Sequence, residues 1–374
     1  MSKSISVPFV DLVPQNEIVR DQIFQGWSHL LAESDFVLGE QVRHFEEEFA
    51  SYCGLSECVG VGNGGDAVEF SLRVLGVKSG DEVIIPANTF IATATAIVRI
   101  GAIPILVDVN MATQLIDPIN IIEKINERTK AVIAVHLFGQ MAPMKQLWSI
   151  CQKHGISLIE DAAQSQGATQ DGLSLGAYSD LVATSFYPGK NLGAYGDAGA
   201  ILTNNRELAH QLREMRNYGG TVKYVHNSMG YNSRLDNLQA VVLNAKLAHL
   251  NQWNEQRNKI AMAYLESFAN VGNITMPVVA TGNLHVWHLF VVQVSNREQM
   301  IEHLTRHNVG FGIHYPTPIH LHDAFSYLGK KTGDFPISEQ LARTILSIPM
   351  FPGMTTEQID YVSETLRSCP GLKQ

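Results

Sequence analysis

The alternation of short apolar runs with helix-period segments between residues 59 and 186 constrains this chain more than any other feature. Apolar runs fall at 81–86, 103–109, 131–136, 156–160 and 181–186, and helical patterns separate them at 91–97, 119–125 and 144–154. Strands that alternate with helices join by crossovers, so they build a mostly parallel sheet with helices on both faces. In an α/β fold of this kind, ligands bind outside the carboxyl ends of the strands. The residues just after each apolar run are therefore the first place to look for chemistry.

Four such positions carry informative side chains. The run ending in Ser185-Phe186 breaks at Pro188-Gly189, which puts Lys190 on a turn at a strand end. A second apolar run follows at 198–204, after a glycine-rich loop. Partial burial lowers a lysine's pKa and suits it to forming a Schiff base. Upstream, the run at 156–160 ends in Glu160-Asp161. Pyridoxal 5'-phosphate (PLP) requires a lysine for its aldehyde and an acid beside its pyridine nitrogen. Taken alone, Asp161 reads equally as a helix N-cap, and Lys190 reads better as an ordinary loop lysine. Together, with Ser185 five residues before the lysine, they point to the cofactor.

The remaining two positions fit the same site. In Val59-Gly-Val-Gly-Asn63-Gly64-Gly65-Asp66, a strand meets a glycine turn and a helix start. Free backbone N–H groups there suit a phosphate, although the pattern alone is also that of a plain turn. Phe90 follows the run ending at Pro86 and opens a helix of small residues, where an aromatic ring is ordinarily core.

The stretches Glu160-Asp-Ala-Ala-Gln164-Ser165, Ser185-Phe-Tyr-Pro-Gly-Lys190-Asn-Leu-Gly193 and Gly230-Tyr-Asn-Ser-Arg-Leu-Asp236 resemble those of the DegT/StrS family of PLP-dependent sugar aminotransferases. The resemblance runs from Val7 to Pro352. It implies the aspartate aminotransferase-like fold (fold type I), with a mostly parallel seven-stranded sheet and a smaller C-terminal α+β domain. The expected division is 1–250 and 251–374. The resemblance also implies roles. Lys190 and Asp161 are catalytic. Gly64, Gly65, Phe90, Gln164, Ser185 and Asn232 join them at the cofactor. Asn232 is expected to reach the phosphate in a partner subunit's site, which makes the assembly a homodimer with shared sites. The family usually has threonine where this chain has Gly65, so a hydroxyl contact to the phosphate is expected to be missing. The Ser185–Ala194 segment, with Gly196-Asp-Ala-Gly, looks most like enzymes that aminate C3 of a nucleotide-linked keto sugar. The implied donor is L-glutamate and the implied acceptor a dTDP-linked 3-keto-6-deoxyhexose, for lipopolysaccharide, S-layer or antibiotic sugar synthesis. A UDP-linked sugar aminated at C3 or C4 is the alternative. A branch that dehydrates sugars carries histidine in place of the lysine, so Lys190 disfavours it. A non-catalytic PLP or nucleotide-sugar sensor has no need of a proton-transfer lysine.

Substrate contacts are expected from Tyr187, from Tyr218 in the polar loop 217–226, and from Arg234, which reads equally as an ion-pair partner of Asp236. The segment His314-Tyr315-Pro-Thr-Pro-Ile-His320-Leu-His322 reads as a ligand-facing loop between predicted strands and helices of the C-terminal part. Its histidine spacing is irregular for a metal, so His314, Tyr315 and His320 are assigned to substrate. The Glu run at 46–48 is read as a solvated face. The remaining expectations are an extended arm over 7–14, a continuous helical run from 235 to about 268, and strands at 284–294 and 309–314.

Composition narrows the partners. The formal net charge of −9 argues against nucleic acid. No apolar run reaches bilayer length, and the N-terminus lacks a leader pattern. The four cysteines have no CxxC or metal spacing and read as reduced thiols, which places the protein in the cytoplasm.

Overall fold

The computed structural model describes residues 5–269 and 271–370, so Met1–Ser4 of the leader reading lie outside the described residues. The apolar runs form a seven-stranded sheet: β1 (Glu57–Val61), β2 (Glu82–Pro86), β3 (Ile103–Val107), β4 (Thr129–Val135), β5 (Ser157–Asp161), β6 (Leu181–Ser185) and β7 (Gly199–Thr203). Its order is β1-β7-β6-β5-β4-β2-β3. The pairings β2–β3, β2–β4, β4–β5 and β5–β6 are parallel, and β7 runs antiparallel between β1 and β6. These strands lack alternation because both faces are buried. Val83, Ile85, Ile133 and Ile159 enter one core, and Ile84, Val132, Leu158 and Val182 enter the other.

Among the described residues, twelve α-helices cover the sheets: α1 (Val13–Glu33), α2 (Glu40–Cys53), α3 (Gly64–Val74), α4 (Ile91–Arg99), α5 (Pro118–Ile122), α6 (Met144–His154), α7 (Arg206–Met215), α8 (Asn237–Leu247), α9 (Leu250–Ser267), α10 (Arg297–Arg306), α11 (Pro336–Thr344) and α12 (Thr356–Ser368). None is long and apolar enough to cross a membrane. A smaller antiparallel sheet joins β8 (Ile274–Thr275), β9 (Phe290–Val294) and β10 (Ile345–Ile348). Its core of Phe290, Val292, Leu346 and Ile348 packs with Tyr264, Leu304, Val362 and Leu366.

Several expected boundaries shift. The arm ends at Leu12, because Pro14 sits in the first turn of α1, where its missing N–H costs nothing. The run from 235 breaks between α8 and α9, and the two helices bury against different partners. Val241, Val242 and Ala245 of α8 pack with α1, and Ile260 and Tyr264 of α9 pack with the smaller sheet. Residues 285–289 are not strand, and Trp287 takes a left-handed φ of 48°. Residues 309–314 make only isolated bridges, Val309 to Val7 and Gly312 to Ser347. The arm therefore belongs structurally with the C-terminal core, where Val7 is fully buried. Of the Glu run, Glu46 is no solvated face: it is buried against Arg216.

Candidate active site

The carboxyl ends of β1, β2, β4, β5 and β6 open into one cavity of about 660 Å³. Lys190, Asp161, Gln164, Ser185, Gly64, Gly65 and Phe90 all line it. Tyr187, His314 and Tyr315 line it as well.

Lys190 follows the turn closed by its own N–H donating to the Tyr187 carbonyl at 2.8 Å. Its Nζ has no hydrogen-bond partner among the described residues, and the residue lines the cavity. Burial lowers its pKa from 10.5 to about 8, against the opposing pull of the Asp161 carboxylate. The amine is thus poised between ammonium and free base near neutral pH, as a group that attacks an aldehyde and later relays a proton requires. Uptake of PLP by the apoprotein should accelerate with pH up to a midpoint near 8 and level off above it. Asp161→Asn should move that midpoint down, because it removes the charge that favours the ammonium. Stopped-flow absorbance at a series of pH values reads both effects, and an unmoved midpoint in the variant would contradict the electrostatic pairing.

Asp161 ends β5, where the chain turns into a loop. Thr93 Oγ1, on the first turn of α4, donates to Asp161 Oδ2 at 2.8 Å. The Ala163 N–H donates to Oδ1 at 3.3 Å. Thr89 lies 3.0 Å from Thr93, so a short hydroxyl chain backs the carboxylate. Neither threonine stood out in the sequence. The only signal was the position of Thr93 three residues after Phe90, on the turn that faces the strand ends.

One end of the cavity lies at the N-terminus of α3. Asn63 caps that helix by accepting from the Asp66 N–H at 2.8 Å, which leaves the N–H groups of Gly64 and Gly65 directed outward. A Cβ on Gly64 would sit 2.5 Å from the Ser185 Cβ, and one on Gly199 would sit 2.5 Å from the Asn63 backbone. Only glycine lets these segments come so close. A Cβ on Gly65 would meet only Asn63 Oδ1, at 3.2 Å. A side chain there would need Asn63 to give by a few tenths of an ångström, and the position carries none.

Phe90 caps α4 and is half exposed, with its ring 5.2 Å from that of Tyr315. Gln164 accepts from the Phe138 N–H at 2.6 Å and donates to the Tyr315 hydroxyl at 3.1 Å. Burial and the nearby Asp161 charge push the Tyr315 phenol up, against the opposing hydrogen bond from Gln164. Burial and the Lys190 charge push His314 down to about 4, so its ring is neutral. The ring of Phe9, from the N-terminal arm, stacks on His314 at 5.6 Å and closes one wall.

Four expected site residues lie elsewhere. His320 is buried and pairs with Glu339 at 3.0 Å, outside the cavity lining, so the loop does not present it to a ligand as expected. Asn232, Tyr218 and Arg234 also lie outside this chain's cavity. Arg234 bonds Asn217 Oδ1 at 3.1 Å and lies over the Tyr218 ring, and no ion pair with Asp236 forms. The loop carrying these residues exposes Val222, Tyr224 and Met229. No group of three or more acidic, histidine or cysteine side chains among the described residues is arranged to hold a metal.

The residues present fit PLP. The cavity offers an unpartnered amine at one point and a carboxylate held by two donors at another. Beside these lies a glycine cradle at a helix N-terminus, which a Cβ on Gly64 would fill. Profile comparison gives the same answer. The description "DegT/DnrJ/EryC1/StrS aminotransferase family" matches residues 18–367. The chain belongs to this family. It is 44% identical over 364 residues to a Saccharopolyspora erythraea protein named erythromycin biosynthesis sensory transduction protein EryC1, covering 97% of this chain and 100% of the relative. It is also 44% identical over 360 residues to a dTDP-3-amino-3,6-dideoxy-alpha-D-galactopyranose transaminase of Aneurinibacillus thermoaerophilus, covering 96% and 98%. The crystal structure of DesV from S. venezuelae in complex with a ketimine intermediate superposes with a TM-score of 0.95 at 41% identity, over 97% of this chain and 98% of that one. NtdA of Bacillus subtilis, solved with bound PMP, superposes at 0.90 and 32% identity, over 98% and 85%. This family member is a PLP-dependent aminotransferase of the aspartate aminotransferase fold.

Proposed function

We propose that this aminotransferase moves an amino group from L-glutamate to C3 of a dTDP-linked 3-keto-6-deoxyhexose. The observation that carries the reading is one cavity that holds Lys190 and Asp161 and is large enough for a sugar beside the cofactor. Relatives named for such transaminations support it. Bound PLP supplies the electron sink for the carbon that loses its proton. Asp161 would keep the ring nitrogen of the bound cofactor protonated, and Thr93 and the Ala163 N–H hold that carboxylate in place. The N–H groups of Gly64 and Gly65, with the Ser185 hydroxyl, would hold the phosphate. Phe90 and Gln164, which line the same cavity, would help to hold the cofactor ring. Lys190 Nζ, titrating near 8, would take the proton from the substrate carbon and return it two atoms away, across the transferred nitrogen. Tyr187, His314, Tyr315 and Phe9 bound the remaining space, where the sugar sits.

The reading includes a cytoplasmic homodimer. Asn232, Tyr218 and Arg234 do not line their own chain's cavity and sit on a loop with exposed apolar side chains, as residues donated to a partner's site would. The chain divides near residue 250, where α9 leaves the large sheet for the small one. The product feeds surface-polysaccharide or antibiotic amino-sugar synthesis.

Incubation with L-glutamate and dTDP- or UDP-linked 3-keto sugars, read by mass spectrometry, tests the activity. The 3-amino dTDP sugar should form fastest, and the dimer should appear by sedimentation. Faster conversion of the UDP sugar would reassign the nucleotide. Conversion of neither, by protein that binds PLP, would leave the sensor reading.

A further inference from the structure

His288 lines the same cavity and has no place in the reading above. It lies in the non-strand segment between Asn283–Leu284 and β9, and the ring is about nine-tenths buried. Its Nδ1 lies 3.2 Å from Oδ1 of Asn191, the residue after Lys190. The orientation of that amide is fixed by its neighbours. Asn191 Nδ2 donates to the Val286 carbonyl at 2.9 Å and to Asn254 Oδ1 at 2.8 Å. Asn254 Nδ2 in turn donates to the Gln166 carbonyl at 2.9 Å. Two backbone carbonyls thus set both amides, and Asn191 presents an acceptor to His288. The proton of the imidazole must then sit on Nδ1. Burial, and next the charge on Lys190, hold His288 well below the ordinary histidine range, so the ring is neutral. Its Nε2 is left as a lone-pair acceptor. That atom has no protein partner among the described residues and is not sealed from the cavity.

We propose that His288 Nε2 accepts a hydrogen bond from a hydroxyl of the keto sugar next to its reacting carbonyl, which makes His288 a specificity-determining residue for the acceptor. The proposal rests on the keto-sugar reading. The chemistry narrows the choice of group. A ketone oxygen, a phosphate and a carboxylate offer only acceptors to an acceptor nitrogen. The donor's amine is engaged at the reacting carbon. Of the groups beside the reacting carbonyl, the sugar hydroxyls remain as donors. A buried acceptor left unpaired by a deoxy substrate is costly, so a site of this kind rejects sugars that lack the hydroxyl.

Two amide variants separate the two ring nitrogens. His288→Asn retains a donor near Nδ1 and removes the acceptor at Nε2. His288→Gln places an amide near Nε2 and can offer its oxygen there. Single-turnover rates would be measured separately for the donor half-reaction with L-glutamate and for the acceptor half-reaction with the 3-keto sugar and its 2-deoxy and 4-deoxy analogues. In the wild type, one deoxy analogue should react about tenfold to a hundredfold less efficiently than the parent, the range for one unpaired buried acceptor. His288→Asn should lose that factor with the parent sugar and lose no more with that analogue. Its loss in the acceptor half-reaction should exceed its loss with glutamate by at least about tenfold. His288→Gln should recover most of the lost rate. Equal losses on all three sugars, or equal losses in the two half-reactions, would overturn the proposal. If wild-type protein converts glutamate but no 3-keto sugar, it is the keto-sugar reading that falls.

Discussion

Lys190→Ala should lower transamination by about 10⁴-fold, the upper range for a positioned proton-transfer group, and should abolish covalent retention of PLP. The loss should come without a loss of fold. Below the folded pKa of about 8, the native protein carries an ammonium that burial disfavours. Its removal relieves that cost, so the melting temperature at pH 7 should stay level or rise. A parallel fall in activity and melting temperature would mean that Lys190 serves structure more than chemistry. The same amine has no hydrogen-bond partner among the described residues to lose, which is why the two readouts part.

The largest effect on stability should come from Glu46→Ala. Glu46 Oε1 accepts from the Gly60 N–H at 2.7 Å and pairs with Arg216, and both side chains are about nine-tenths buried. Arg216 also donates to the Gly60 carbonyl at 2.7 Å. The pair ties α2 to β1 and to the segment after α7. Removing the carboxylate leaves a buried guanidinium without its counter-charge, which costs about 3–5 kcal/mol. Glu46→Gln, which keeps an acceptor for the Gly60 N–H, should cost less. Urea midpoints of the three proteins decide the matter, and a Glu46→Ala midpoint equal to that of the wild type would show that Arg216 finds water in place of the pair.

The sequence announced the parts of this protein that depend on local order. Both-face burial turns strands into unbroken apolar runs, so the large sheet was readable, and the strand-end rule then picked out Lys190, Asp161, Phe90 and the glycine turn before any coordinates. Pairings between distant segments were not readable. The Glu339 carboxylate that draws His320 inward is reached only when α11 folds back. His288 sat inside what reads as a continuous strand over 284–294. Its break depends on Trp287, whose indole stacks on His285 at 3.9 Å, and on Asn191, far away in the chain. Phe9 reaches the cavity only because Val7 bridges to Val309, a contact that periodicity cannot carry. The Glu run misled for a related reason. Three consecutive glutamates suit an exposed helix face, but Glu46 lies on the buried stripe with Val42, Phe45 and Phe49, and Arg216 neutralises it from outside the helix.

The most direct test of the proposed activity is the absorption spectrum of the PLP-loaded protein, recorded before and after L-glutamate and again after the dTDP-linked 3-keto sugar. The visible band should disappear with glutamate and return when the keto sugar is added, with the amino sugar released in equal amount. A band that ignores glutamate, or one that glutamate bleaches and no keto sugar restores, would contradict the proposed reaction.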